Sequence, residues 1–327
     1  MKESKLIVSA SPHLWSSDTI SLIMWDVVIA LLPATIVGLA LFGLPALFVT
    51  LTCIFVAVVV EGLCQRVMGR KVTIADGSAV VTGFLLALNL PSGAPLWMAA
   101  VGSVVAIIIG KQVYGGLGNN PFNPALVARV FLLISWPLQM TTWPEPTLRQ
   151  SGLDAVTTAT PLGVLKEKGI EAIAQIPLIH SFLGNVGGCI GEVSVLALLI
   201  GAIYLLWRGH ITWHIPLTFI AGLVLFTGIF WLYDGTQYAN PIYHILNGGL
   251  FLGAFFMATD MVTTPITTRG MIIFGLGCGL ITGLIRLFGG YPEGVSFSIL
   301  LMNAFTPLLD RWKFTHPTKY GEVKSGD

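Results

Sequence analysis

The sequence predicts an all-α polytopic membrane protein of about ten transmembrane helices, and three observations predict it. Apolar residues make up 54% of the 327 residues and charged residues only 10%. An ordinary soluble domain carries roughly 25% charged residues, so seventeen basic and sixteen acidic side chains cannot coat a soluble protein of this size. Mean hydropathy is +0.82, and 37 glycines suit helices whose backbones pack closely in lipid. Together these exclude a soluble enzyme, a disordered chain and a secreted disulfide scaffold. The lipid bilayer is the surrounding that the composition requires, and a net charge of +1 leaves no footprint for nucleic acid.

The elements follow in order. Lys2 and Lys5 precede only a three-residue apolar patch, so no cleavable signal is expected. The first long apolar run, from about Ile20 to Phe42, lacks an A-x-A-like site and reads as the first membrane helix. Spans are predicted at roughly 20–42, 44–63, 76–91, 95–113, 121–139, 186–207, 211–232, 242–259, 270–289 and 294–311. The third and eighth are short and rich in glycine. This divides the chain into a five-helix unit at 1–139, an external loop at 140–185, a second five-helix unit at 186–311 and a tail at 312–327.

With ten spans, one side carries Lys2, Lys5, Arg66, Arg70, Lys71, Lys111, Arg208, Arg269 and Arg311 through Lys324, whereas the other carries only Arg149, Lys166 and Lys168. The positive-inside rule then puts both termini in the cytoplasm. The halves also echo each other. Gly118-Asn119-Asn120-Pro121 returns as Gly289-Gly290-Tyr291-Pro292, 171 residues later. Thr82-Gly83-Phe84 returns as Leu252-Gly253-Ala254 at an offset of 170. A five-span unit has odd parity, so its second copy is inverted in the membrane, an architecture that puts sites at the repeat interface.

Cys53, Cys64, Cys189 and Cys278 fall in or beside apolar runs with no C-x-x-C pair, so no metal site is expected. His210 and His214 are four apart with no acid nearby in sequence, and read as a membrane-interface pair. Arg129 and Arg286 lie inside spans, where a charge usually marks function. Arg129 has Asp26 as a candidate partner across the bundle, and Arg286 is close enough to a span end to snorkel. Asp26, Asp76, Asp260 and Asp310 are candidates for cation attraction, with Asp76 and Asp310 reading rather as caps or topological charges at span ends.

Asp154-Ala155-Val156-Thr157-Thr158-Ala159-Thr160-Pro161 stands out in the long loop. From residues alone it is an Asx-turn leading into a short helix with Pro161 at its first position. It also resembles the flavinylation motif, in which an Asp, two variable residues, Ser/Thr, Gly and Ala precede an acceptor Ser/Thr. Asp154, Thr157 and Ala159 match that pattern, Thr158 replaces its glycine, and Thr160 takes the acceptor position.

Asp76-Gly77-Ser78, Gly110-Lys111, the run Gly115-Gly116-Leu117-Gly118-Asn119-Asn120-Pro121-Phe122-Asn123-Pro124-Ala125, Gly253 through Asp260 and Gly289 through Gly294 extend the resemblance over nearly the whole chain. They resemble the family of the D subunit of the Rnf ion-translocating ferredoxin:NAD oxidoreductase, homologous to the B subunit of the sodium-translocating NADH:quinone oxidoreductase. That resemblance implies an electron-carrying membrane subunit with FMN esterified through its phosphate to Thr160. It further implies a non-covalent second flavin, riboflavin-like in the homologue, nearer the cytoplasm. The implied partners are the other Rnf subunits, among them a second covalent-FMN subunit and membrane iron–sulfur subunits, together with a flavin transferase for maturation. Gly116, Asn120 and Asn123 are the candidate second-flavin residues, at a turn that otherwise reads as a hinge before a Pro-initiated helix. No complete activity is expected of the subunit alone, and ion movement is expected to be coupled to electron flow. Without the motif, the inverted repeats would suggest a solute channel or carrier, or an anchor for redox partners.

Overall fold

The computed structural model describes residues 18–146, 157–173, 177–184 and 186–311, with backbone only at Thr157 and Thr158. Asp154, Arg149, the far N-terminus and the 312–327 tail lie outside the described residues. The first group of helices is α1 (Ile20–Phe42), α2 (Leu44–Val67), α3 (Ser78–Leu88), α4 (Leu96–Ile107) and α5 (Pro124–Ser135). A short helix α6 (Pro137–Met140), strands β1 (Trp143–Pro144) and β2 (Thr157–Thr158), and helices α7 (Pro161–Lys168), α8 (Ile170–Ile173) and α9 (Leu178–Leu183) form the connecting region. The second group is α10 (Val195–Arg208), α11 (His214–Tyr233), α12 (Pro241–Leu246), α13 (Leu250–Leu252), α14 (Thr268–Phe288) and α15 (Val295–Arg311). Among the described residues α1, α2, α11 and α14 are long and apolar enough to cross a membrane alone. The protein is a polytopic membrane protein.

Local chemistry sets several helix starts. Thr19, Asn123, Thr160, Ser194, Asn240 and Thr267 each accept a backbone N–H at the head of their helix. Pro124, Pro161 and Pro241 follow three of them at the first helical position, where a missing N–H costs nothing. Asp76 accepts from the backbone N–H (2.8 Å) and hydroxyl (2.6 Å) of Ser78, which is the capping role its sequence position suggested. Asp310, near the end of α15, accepts the Ile266 N–H at 2.9 Å and so ties the segment ahead of α14 to it.

Three features depart from the sequence expectations. The sixth span begins at Val195 rather than 186, because residues 186–194 are used as an irregular loop. The eighth is broken into α12, α13 and a π-helical turn, Gly253–Met257. The connecting region is not purely helical: β1 and β2 pair antiparallel, Trp143 opposite Thr158 and Pro144 opposite Thr157.

Irregular backbone inside a membrane protein persists only where its polar groups find partners within the protein. Beyond α3, the Leu88 and Leu90 carbonyls accept from Gly191 N (2.9 Å) and Ile190 N (3.0 Å) of the 186–194 loop. Between α12 and α13, Gly248 and Gly249 take φ of 81° and 64°, a conformation only glycine adopts without strain.

Helix pairing depends on absent side chains. α11 packs along α14 with Gly222 and Gly279 facing each other: a Cβ at Gly279 would come within 2.8 Å of Gly222 Cα and 2.6 Å of Leu223 N. α1 packs on α10, where a Cβ at Gly201 would collide with the Ala30 carbonyl. Gly279→Leu is expected to force α11 from α14 and cost about 1–3 kcal/mol or more. A lower thermal midpoint in detergent checks this, and an unchanged midpoint contradicts it.

Candidate functional site

A cavity lies between the two groups of helices, walled by Val27, Leu85, Asn120, Phe255, Phe256 and His210 among others. Both π-helical turns of the protein's described part reach it. Ile108–Gln112, which continues α4, contributes Lys111, and Gly253–Met257 contributes the two phenylalanines. Single π turns inside α-helices recur at functional sites because the extra residue re-aims neighbouring side chains.

The predicted turn residues separate here. Asn120 donates through Nδ2 to the Phe122 carbonyl at 3.1 Å, but its Oδ1 is buried without a partner at the cavity. Buried polar atoms are rarely left unpaired, which makes this oxygen the open acceptor of the cavity wall among the atoms described. Asn123 also lines the cavity, yet its amide is largely engaged: Oδ1 caps α5 through Ala125 N and Leu126 N, and Nδ2 donates to the Met257 carbonyl across the halves at 3.3 Å. Gly116 (φ 94°) donates to the Lys111 carbonyl at 3.1 Å and supports the turn rather than the cavity wall.

Arg129 and Arg286 belong to a different place, a buried charged cluster where the 186–194 and 289–294 segments meet α5 and α14. Arg129 donates to Asn89 Oδ1 at 2.6 Å, to Cys189 Sγ at 3.7 Å and to the Glu293 carboxylate. Its partner is therefore Glu293, not Asp26 as its span position suggested. Glu192 lies beside them, and the ligand atoms of Cys189, Glu192 and Glu293 all fall within 4.8 Å of one another. Arg286 does not snorkel. It is buried and donates to the carbonyls of His244 (2.5 Å), Asn247 (3.0 Å) and Gly248 (2.9 Å), the groups that the α12–α13 break releases.

Thr160 heads α7, with its hydroxyl accepting from Gly163 N at 3.1 Å. It is only 4% exposed, which differs from the accessible hydroxyl that the motif suggested. The next two residues explain the burial. The Pro161 carbonyl accepts from the Tyr243 hydroxyl of α12 at 2.8 Å, and Leu162 packs so closely on Gly248 that a Cβ there would strike it. The loop is thus docked on the very break that Arg286 holds. Lys166 of α7 donates to the Gly289 and Tyr291 carbonyls, and partial burial holds its amine below the usual lysine range. Ala159 leads into this cap and is exposed.

Two further polar centres were not read from the sequence. Lys111, counted there among loop charges, is 1% exposed, with its Nζ 2.8 Å from Glu61 and 2.7 Å from Ser78 Oγ. Gln65 and Gln112 also donate to Glu61. A Glu inside the second span was the available signal. Asp26 accepts from the Tyr204 hydroxyl (2.8 Å) and Arg208 Nε (2.9 Å), and His210 Nε2 lies 2.5 Å from it. His210 therefore has an acid beside it, and it sits in a loop ahead of α11 rather than on one helix with His214.

Comparison with known proteins agrees with the sequence resemblance. Residues 7–321 match the model of the NQR2, RnfD, RnfE family. The chain is 48% identical over 327 residues to a Clostridium ljungdahlii protein, the D subunit of a proton-translocating ferredoxin:NAD(+) oxidoreductase complex, covering 98% of each. It is 49% identical over 324 residues to the corresponding D subunit of the Na(+)-translocating complex of Acetobacterium woodii, covering 99% of this chain and 98% of the relative. A Halorhodospira halophila protein, the D subunit of an ion-translocating oxidoreductase complex, is 40% identical over 345 residues, with 97% and 96% covered.

Proposed function

The chain belongs to the NQR2, RnfD, RnfE family, and from that premise we propose that it is the D subunit of an ion-translocating ferredoxin:NAD oxidoreductase complex, carrying FMN on Thr160. The observation that carries the flavin reading is the setting of Thr160. Its hydroxyl stands at the N-terminus of an eight-residue helix, where backbone N–H groups and the helix dipole favour a phosphate. Because the docked hydroxyl is buried, esterification precedes the closure of the loop onto α12 in this reading. The attached flavin supplies electron transfer. This chain's part is to anchor it through Thr160, fix the following backbone through Pro161 and Tyr243, and hold the docking surface through Arg286.

The inter-half cavity is the proposed site of the second, non-covalent flavin. Asn120 Oδ1 would accept a ring N–H, while Phe255, Phe256 and Leu85 exclude water. The helix order supports two inverted five-helix units, since α2 packs on α4 as α11 packs on α14, and α4 on α5 as α14 on α15. With both termini in the cytoplasm, α7 and Thr160 would face outward and the cavity inward in a prokaryotic inner membrane. The other Rnf subunits, including a second covalent-FMN subunit and iron–sulfur subunits, would be its electron-transfer partners, and a flavin transferase would modify it.

Intact mass and in-gel fluorescence test this reading. The wild-type subunit is expected to gain the mass of FMN less one water and to fluoresce in denaturing gels. Thr160→Val keeps the side-chain shape but removes the nucleophile, so both signals are expected to vanish while the subunit still assembles. Retained fluorescence would move the acceptor to another residue, Thr157 being the next to replace, and an unmodified wild type would remove the covalent flavin.

A further inference from the structure

His210 occupies a position shared by two spaces. Its ring forms part of the wall of the inter-half cavity, and it also borders a separate recess lined by Thr212, Thr264, Pro265 and Met271 at the 209–213 and 258–267 loops. Its side chain is only 6% exposed, and Nε2 is directed at Asp26. Asp26 is itself held from three sides. Tyr204 and Arg208 of α10 donate to it, Arg208 through Nη2 at 2.8 Å as well as Nε, and His210 completes the set. A carboxylate placed this way fixes the orientation of the imidazole, with Nε2 turned to Asp26. Across the cavity, Lys111 is engaged by Glu61 and Ser78, and Asp260 caps its own turn through Val262 and Thr263. His214, at the start of α11, stacks on Trp213 at 4.2 Å. His210 is thus the titratable group placed between the cavity and the recess.

We infer that His210 delivers protons to a redox ligand in the inter-half cavity, with Asp26, Tyr204 and Arg208 as its positioning residues. This rests on the reading of that cavity as a flavin site. Adding an electron to a buried ring builds negative charge where the interior solvates it poorly, so electron arrival calls for a proton. For each electron that an iron–sulfur donor supplied to a bound flavin, imidazolium His210 would give up its Nδ1 proton to the ligand and be left as neutral imidazole. A proton from the aqueous phase, carried in as hydronium through the recess, would restore it and leave water behind. The carboxylate of Asp26 keeps its charge throughout.

The purified complex provides the test. Diethyl pyrocarbonate acylation of His210, followed by peptide mass, is expected to be blocked when riboflavin is added to flavin-stripped complex. Acylation that riboflavin does not change would remove His210 from the ligand cavity. In stopped-flow reduction, His210→Gln is expected to retain extractable flavin but slow the cavity flavin's reduction by about 100-fold and lose the solvent deuterium effect. His210→Ala is expected to recover with added imidazole, a rescue that only a folded subunit can give. Asp26→Asn should retain flavin with a smaller slowing and an altered pH profile. Wild-type rates and pH dependence in His210→Gln would overturn the proton-delivery role while leaving the flavin site standing. Wild-type complex without extractable flavin would overturn the occupancy of the cavity and this role with it.

Discussion

Arg129→Leu is expected to destabilise the folded subunit by about 3–5 kcal/mol, the cost of leaving a buried charge without its partner. The guanidinium holds three segments that are remote in sequence: Asn89 after α3, Cys189 in the 186–194 loop and Glu293 before α15. Leucine fills the space but strands the Glu293 carboxylate without its guanidinium. Arg129→Lys is expected to recover only part of the loss, because a point charge cannot reproduce the fork that reaches Asn89 and Glu293 together. The double replacement Arg129→Leu with Glu293→Leu removes one charge of each sign and is expected to regain more. Thermal midpoints in detergent, run as a double-mutant cycle, check the order wild type, double variant, single variant. A single variant as stable as wild type would show that the cluster contributes no net stability.

Glu61→Met is expected to cost a similar amount, and more than Lys111→Met. The asymmetry follows from the partners that remain. Without Glu61, the Lys111 ammonium keeps Ser78 Oγ as its one hydrogen-bond partner among the described residues. Without Lys111, the Glu61 carboxylate still accepts from Gln112 Nε2 at 3.1 Å and Gln65 Nε2 at 3.3 Å. Because both groups are about 2% exposed, water cannot take the missing partner's place. Glu61→Met with Lys111→Met is expected to be milder than Glu61→Met alone. The same midpoint measurement decides the order, and a reversed order would mean that the amide donors do not hold the carboxylate.

The sequence made the long helices and their caps legible because both are local signals. A mostly apolar run of 23 residues between Thr19 and Gly43 leaves little choice for α1, and Asn123-Pro124 or Asn240-Pro241 announce a helix start wherever they fall. Asp76 as a cap was legible for the same reason. The broken eighth span and the irregular 186–194 segment were not, because their backbone is satisfied by residues far along the chain. The candidate site divides in the same way. Thr160 and Asn120 were singled out through sequence resemblance, which carries its own order. The pairing of Arg129 with Glu293 and of Asp26 with His210 depends on which helix faces come together, and single-sequence spacing does not encode that. Lys111 shows the hazard most directly, since a lysine at the end of an apolar run was counted as a loop charge when a π turn had carried it inside.

The α12–α13 break has a consequence for how the chain is made. Its freed carbonyls at His244, Asn247 and Gly248 are answered by a side chain on α14, 38 residues beyond Gly248. Until Arg286 has left the ribosome, residues 241–257 present to the lipid a segment that is too short and too polar to settle there. The carbonyls past α3 wait longer still, since Cys189 Sγ reaches the Asn89 carbonyl across 100 residues. Both interrupted segments therefore remain at the insertion machinery, or in the aqueous interface, while the uninterrupted helices partition first. Biogenesis of this protein is accordingly not strictly vectorial: its middle-of-membrane elements are the last to enter, and a nascent chain truncated before Arg286 is expected to leave 241–257 open to protease.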